Sequence, residues 1–271
     1  MDHPQLASVH AKVDRAEFHL NEINAALKVV WGSKPEADHI ATKINPYWYE
    51  VGVTVPEVEP VRPTLPLMIG DCIHNLRSAL DHLAWQLSVN NNAPLSAAEK
   101  TFFPICLTKS GKAGFDKLVK TRIMPFVSPA ALAAIEESQP YAAYDIPEEA
   151  DIWVLHKLDI VDKHRLLLIA GQHCAVTEFT FTFPNHVPFH QVIPNSQWKP
   201  MEHGAEIIRF QIPAEHCGPG KVHMQVDGVR AVQFINTGLP CDGMPVEEVL
   251  HQLFSLVSGT VGDFESRFFN E

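Results

Sequence analysis

Over roughly the first thirty residues, apolar side chains return at three- and four-residue steps: Val9, Val13, Ala16, Leu20, Ile23, Leu27 and Val30. That spacing keeps one stripe on one side of an α-helix and predicts a helix over about 5–31, closed by Gly32 and Ser33. A stronger pattern occupies 67–90, where Ile69, Ile73, Leu76, Leu80, Leu83 and Leu87 keep a near-heptad spacing before Asn90, Asn91 and Asn92. Two more helices are predicted, over about 147–170 from Pro147 to a stop at Gly171, and over about 245–269 from Pro245. Elsewhere the period is two. Val176 to Phe183, Glu206 to Ile212 and Val222 to Ile235 read as strands of an antiparallel sheet over about 174–240, the last broken by a hairpin signal at Asp227-Gly228. Tyr47 to Val55, rich in aromatic and β-branched residues, predicts a strand at 47–55, after which Pro56, Pro60, Pro63 and Pro66 forbid a helix.

Residues 91–146 read as an irregular insertion with short helices, their starts marked by the capping box Ser96-Ala97-Ala98-Glu99 and by Ser128-Pro129. The whole is an α+β reading: a helical bundle with a late antiparallel β-sheet and a C-terminal helix, in a single domain over 1–271 with no internal repeat.

Charge and composition narrow the function classes. A net charge of -11 opposes non-specific binding to nucleic acid or anionic lipid, so any polyanion site must be local. The five cysteines, Cys72, Cys106, Cys174, Cys217 and Cys241, form no C-x-x-C pair and suggest neither a disulfide framework nor a thiolate zinc site. With no basic-then-apolar leader at Met1-Asp2-His3 and no apolar run of spanning length, the expected setting is cytoplasmic, with no membrane partner. G-x-S-x-G, Gly-rich phosphate-loop and dinucleotide patterns are missing, so no cofactor is predicted; a divalent metal is the one kept open.

Three constellations carry candidate chemistry. On the 67–90 helix, Asp71, His74, Asn75, Ser78, Asp81, His82 and Trp85 fall opposite the leucine stripe, with Arg77 at the boundary. Such a face could be merely solvated, but solvated faces are built of Lys and Glu, and this arc has neither. Its imidazoles and carboxylates could act as general acid, base and orienting group, or Asp71, His74, Asp81 and His82 could supply metal ligands. On the next long helix, Asp162 and Arg165 share a face with Leu155, Leu158 and Ile169 and are spaced to pair; a structural ion pair is the first reading there and catalysis the second. His156, Lys163 and His164 lie away from that face, close enough to share a cleft wall. On the first helix, His10, Lys12, Asp14, Arg15 and Glu17 are read first as a wet surface. Glu36 and His39 have E-x-x-H spacing, but in a probable loop. His186, His190, His203, His216 and His223 are read as surface or packing residues.

Lys12-Val13-Asp14-Arg15-Ala16, Gly70-Asp71 running into His74-Asn75-Leu76-Arg77-Ser78-Ala79-Leu80-Asp81-His82, and Asp162-Lys163-His164-Arg165-Leu166-Leu167 together resemble a widespread group of bacterial proteins, a resemblance that implies no particular activity. Arg77 and His82, with four residues between them, also resemble the Arg-His motif of HEPN domains, helical bundles many of which are dimeric, metal-independent ribonucleases. That likeness implies a homodimer in which His82 or His164 serves as acid or base on a ribose hydroxyl, while Arg77, Lys163 and Arg165 stabilise the phosphate. In HEPN domains a polar residue such as Asn, Asp or His commonly follows the Arg, a place that Ser78 fits loosely, and the motif tends to sit where a helix begins, from which the mid-helix position here departs. The alternatives are a metal-assisted hydrolase of a small molecule and a non-catalytic interaction module whose polar networks only specify packing.

Overall fold

The computed structural model describes residues 4–31, 38–54, 61–94, 96, 100–107, 111–119, 126–164, 170–182, 189–192, 199–200, 202–215 and 223–269. They form an α+β protein that divides into two compact units, one from Met1–Ala26, Pro63–Ile169 and Phe234–Glu271, the other from Leu27–Arg62 and Ala170–Gln233. Among the described residues, no helix is long and apolar enough to cross a membrane.

The first unit is helical. A short turn, Pro4–Leu6, leads into α1 (Ala7–Trp31), and α2 (Thr64–Asn90) follows. The 91–146 segment contributes α3 (Gly111–Leu118), α4 (Pro129–Glu137) and the single turn α5 (Pro140–Ala143). A turn at Pro147–Glu149 enters α6 (Asp151–His164), and α7 (Val246–Phe268) closes the unit. Helix α2 is the central element. Ile69, Cys72, Ile73, Leu76, Ala79, Leu80, Leu83, Ala84 and Leu87 are all buried, a continuous apolar stripe about 140° wide. Helices α6 and α7 both pack on it, and Phe103 meets Phe264 of α7 edge to face. From α1, Val9, Ala16, Leu20, Ile23 and Leu27 are buried as the stripe requires. Ser128 caps α4 as its sequence predicts, its hydroxyl accepting from the Ala131 N–H. The other capping box, at Ser96–Glu99, lies largely outside the described residues.

Helix α2 begins three residues earlier than the apolar pattern suggests, and Pro66 lies inside it. The proline ban does not reach that far, because the first-turn N–H groups have no intrahelical acceptor and proline gives up nothing there. At the other end Asn92 adopts a left-handed backbone (φ 63°), which asparagine tolerates better than most residues.

The second unit is built of strands. Strands β1 (Asp38–Asn45) and β2 (Trp48–Thr54) form a hairpin, and β3 (Ala170–Thr182), β4 (Phe189–Val192), β5 (Lys199–Pro200), β6 (Glu206–Pro213) and β7 (His223–Phe234) come later. One antiparallel sheet has the order β1-β2-β6; in the other, β4 and β5 flank β3, which also pairs with β7. Val51 and Val53 face Phe210 and Ile208 across the ladder and are buried.

Several local readings change here. The sheet region is not wholly late, because the early hairpin joins β6. Asp38 and His39 stand in a strand, paired with Thr54 and Val53, and not in a loop. Strand β7 runs through Asp227-Gly228 without turning, and β3 starts at Ala170, so Gly171 is a strand residue and not a helix stop. In each case ladder pairing overrides a two-residue local signal.

The approach of α6 to α2 depends on a missing side chain. A Cβ at Gly70 would lie 2.4 Å from Asp162 Oδ1 and 2.7 Å from its Cγ. Gly70→Ala should therefore reverse the usual helix preference for alanine and destabilise the protein by about 1–2 kcal/mol. In urea denaturation the double variant Gly70→Ala/Asp162→Ala should be more stable than Gly70→Ala alone; equal stabilities would show that the two positions do not compete for space.

Candidate active site

The contacts between α2 and α6 run in opposite directions along the two sequences. Gly70 abuts Asp162, His74 meets Asp159, and Arg77 acts electrostatically on His156. The helices are thus antiparallel along this seam, and steps of three or four residues return each side chain to the crossing.

At its middle lies Asp159, only 5% exposed. Its Oδ1 is 3.2 Å from His74 Nδ1, and its Oδ2 accepts from Lys163 Nζ at 2.7 Å, the Lys being one turn along the same helix. A buried carboxylate deprived of its partner costs roughly 3–5 kcal/mol, so these donors are what Asp159 needs at this position. The contact also fixes the imidazole tautomer. A carboxylate only accepts, so Nδ1 is the donor in this contact, and in the neutral ring Nε2 then presents a lone pair. Ser78 Oγ lies 3.4 Å from that Nε2, placed by the one-turn offset of positions 74 and 78 on α2. The His74 side chain is 44% exposed and Lys163 41%, so solvent reaches the open side of this relay.

Other polar groups frame it. Lys12 of α1 donates to Asn75 Oδ1 at 3.2 Å, and Asn75 Nδ2 donates to the Asp71 carbonyl. Asp71 itself is exposed. Burial, reinforced by Asp159 and Asp71, raises the pKa of Asp162 above the usual carboxylate value, while His74 and Lys163 act the other way.

Farther along α2, Arg77 is 6% exposed and its guanidinium is committed. It donates to Asp81 Oδ1 at 2.6 Å and to the Phe103 carbonyl at 2.9 Å, while the Phe103 N–H donates to the same Asp81 oxygen. The three groups clamp the chain after α2 against the helix, a packing job for residues whose spacing suggests phosphate chemistry. His82 is half-buried on the same helix. Arg165 and the side chain of His164 lie outside the described residues, and with Arg165 the expected Asp162–Arg165 pair.

On α1, Asp14, Arg15 and Glu17 are exposed, Arg15 lying over the Phe18 ring at 4.7 Å, and His10 Nε2 lies 3.2 Å from Glu265 Oε2 of α7. Among the described residues, no three His, Cys, Asp or Glu side chains are grouped so as to hold a metal ion. Burial pushes Cys72 up to about 12 and Cys241 up to about 11, so both remain thiols at neutral pH.

The residue missed by sequence reasoning is Asp159. Its signals are the four-residue step from Leu155, which puts it toward the core, and the four-residue step to Lys163, which supplies an intrahelical partner. Comparison of the chain with family models, with curated proteins and with solved structures gives no match in any of the three.

His156 shows what the dry end of the seam does to an imidazole. Its Nδ1 is buried without a hydrogen-bond partner among the described residues, and burial, together with the charge of Arg77, lowers its pKa from 6.5 to about 4. The folded protein therefore holds His156 neutral between pH 6.5 and about 4, where the unfolded chain takes up a proton. Its contribution to stability is complete above the unfolded value and lost as pH falls toward 4. His156→Gln should flatten the fall in urea midpoint between pH 7 and 4; an unchanged slope would rule this source out.

Proposed function

We propose that the chain is a metal-independent hydrolase of a small ester in which His74 is the general base and Asp159 holds it in place. The observation that carries this reading is the relay Ser78–His74–Asp159: an imidazole reached by solvent, its Nδ1 hydrogen directed to a buried carboxylate and its Nε2 lone pair left for a hydroxyl or a water. Lys163 belongs to the same unit through Asp159 Oδ2, keeping one of the sequence candidates at the site. The acid–base chemistry expected of this helix face thus sits three to eight residues before the Arg77 and His82 pair. Arg77 serves the reading poorly, since its donors go to Asp81 and Phe103.

A single panel separates this from the other two enzyme readings. Purified protein in EDTA is assayed against p-nitrophenyl acetate, bis(p-nitrophenyl) phosphate and a single-stranded RNA. His74→Ala should lower hydrolysis by about 10²–10⁴-fold. Asp159→Asn should lower kcat with a smaller effect on KM. Activity appearing only on adding a divalent ion would support the metal-assisted alternative, and RNA cleavage abolished by His82→Ala but not by His74→Ala the ribonuclease one. If Asp159→Asn lowers Tm and the wild-type protein turns over none of the three, the seam is structural glue and the hydrolase reading is wrong.

A further inference from the structure

Resting on the general-base reading of His74, we infer that Ser78 is a nucleophile and that the substrate is an acyl ester or thioester. The first observation is how this hydroxyl differs from its equivalents elsewhere in the molecule. Three other helix-interior hydroxyls bond back to the carbonyl one turn earlier: Ser88 to Ala84, Ser258 to Phe254 and Thr260 to Leu256. Such a bond satisfies the hydroxyl within its own helix and leaves it inert. Ser78 turns instead to the ring nitrogen of His74, whose other nitrogen is held by Asp159. A hydroxyl, an imidazole and a buried carboxylate in series are the parts that nucleophilic catalysis by serine requires.

The second observation concerns the electrophile. Among the described residues at this end of the seam are three carboxylates, Asp71, Asp159 and Asp162, and two ammonium groups, Lys12 bonded to Asn75 and Lys163 bonded to Asp159. This leaves no surplus of positive charge for a phosphate, and the net charge of -11 acts in the same direction. An uncharged acyl carbonyl carries no such penalty.

The step balances within these groups. Ser78 Oγ bonds to the carbonyl carbon as its proton passes to His74 Nε2. The tetrahedral adduct collapses by breaking the bond to the alkoxide or thiolate, which leaves with the proton from Nε2. Water then adds to the acyl-serine, gives a proton to Nε2, and the carboxylic acid departs as that proton returns to Ser78. Asp159 keeps the ring in one orientation throughout.

The test is p-nitrophenyl acetate hydrolysis followed by stopped flow, with acid quench and peptide mass mapping. The expected result is a burst of p-nitrophenolate of about one equivalent per chain, an acetyl group on the peptide bearing Ser78, and loss of both in Ser78→Ala and His74→Ala. Ser78→Ala removes one oxygen from a half-buried position and leaves the fold, checked by circular dichroism, as it was. Hydrolysis that continues unchanged in Ser78→Ala but is lost in His74→Ala would overturn the inference and leave the general-base reading standing, with water as nucleophile. Hydrolysis unaffected by either substitution overturns both.

Discussion

A carboxylate exposed to only 5% of its surface needs donors in place of the water it has lost, and Asp159 draws its donors from both helices at once, His74 from α2 and Lys163 from α6 itself. That constraint organises the seam. Satisfying Asp159 requires the His74 ring to cross the interface, which sets the register of α6 on α2. The register in turn sets Asp162 against residue 70, where nothing larger than glycine fits without displacing the carboxylate. The chemistry of the site and the packing of the helices thus rest on the same contact.

The seam has a wet end and a dry end, and residues of the same type take different roles along it. At the wet end Asp71 is exposed and His74 is half open. Toward the dry end Arg77 and Asp81 are spent on the peptide group of Phe103, whose ring is fully buried against Phe264. A backbone carbonyl and N–H buried beside a core phenylalanine need partners as much as a charge does, and the Arg–Asp pair supplies one to each. The guanidinium is thereby removed from any role at the solvent face.

Much of this fold is legible in the residue pattern. The four long helices follow from apolar periodicity summed over many turns, and the α+β class from the switch to period two beyond residue 170. What fails are short signals whose outcome depends on distant partners: Asp227-Gly228, Gly171, and the loop reading of Asp38 and His39 are each overridden by strand pairing. The same division runs through the site. His74, Ser78 and Lys163 are readable as a polar arc and a basic position, because side-chain direction on a helix is local. Asp159 is not, because its importance lies in which residue of α2 faces it, and no periodicity within α6 contains that information.

The Arg-x4-His likeness is limited for a related reason. A motif of two residues specifies identity and spacing but not environment, and here environment decides. His74 and His156 are both imidazoles on the same seam. One is reached by solvent, with a carboxylate on one nitrogen and a hydroxyl near the other; the other has a buried nitrogen with no hydrogen-bond partner among the described residues and is driven toward the neutral form by burial and by Arg77. Position 70, where a side chain would displace Asp162, is likewise a constraint on the seam that a two-residue motif does not encode.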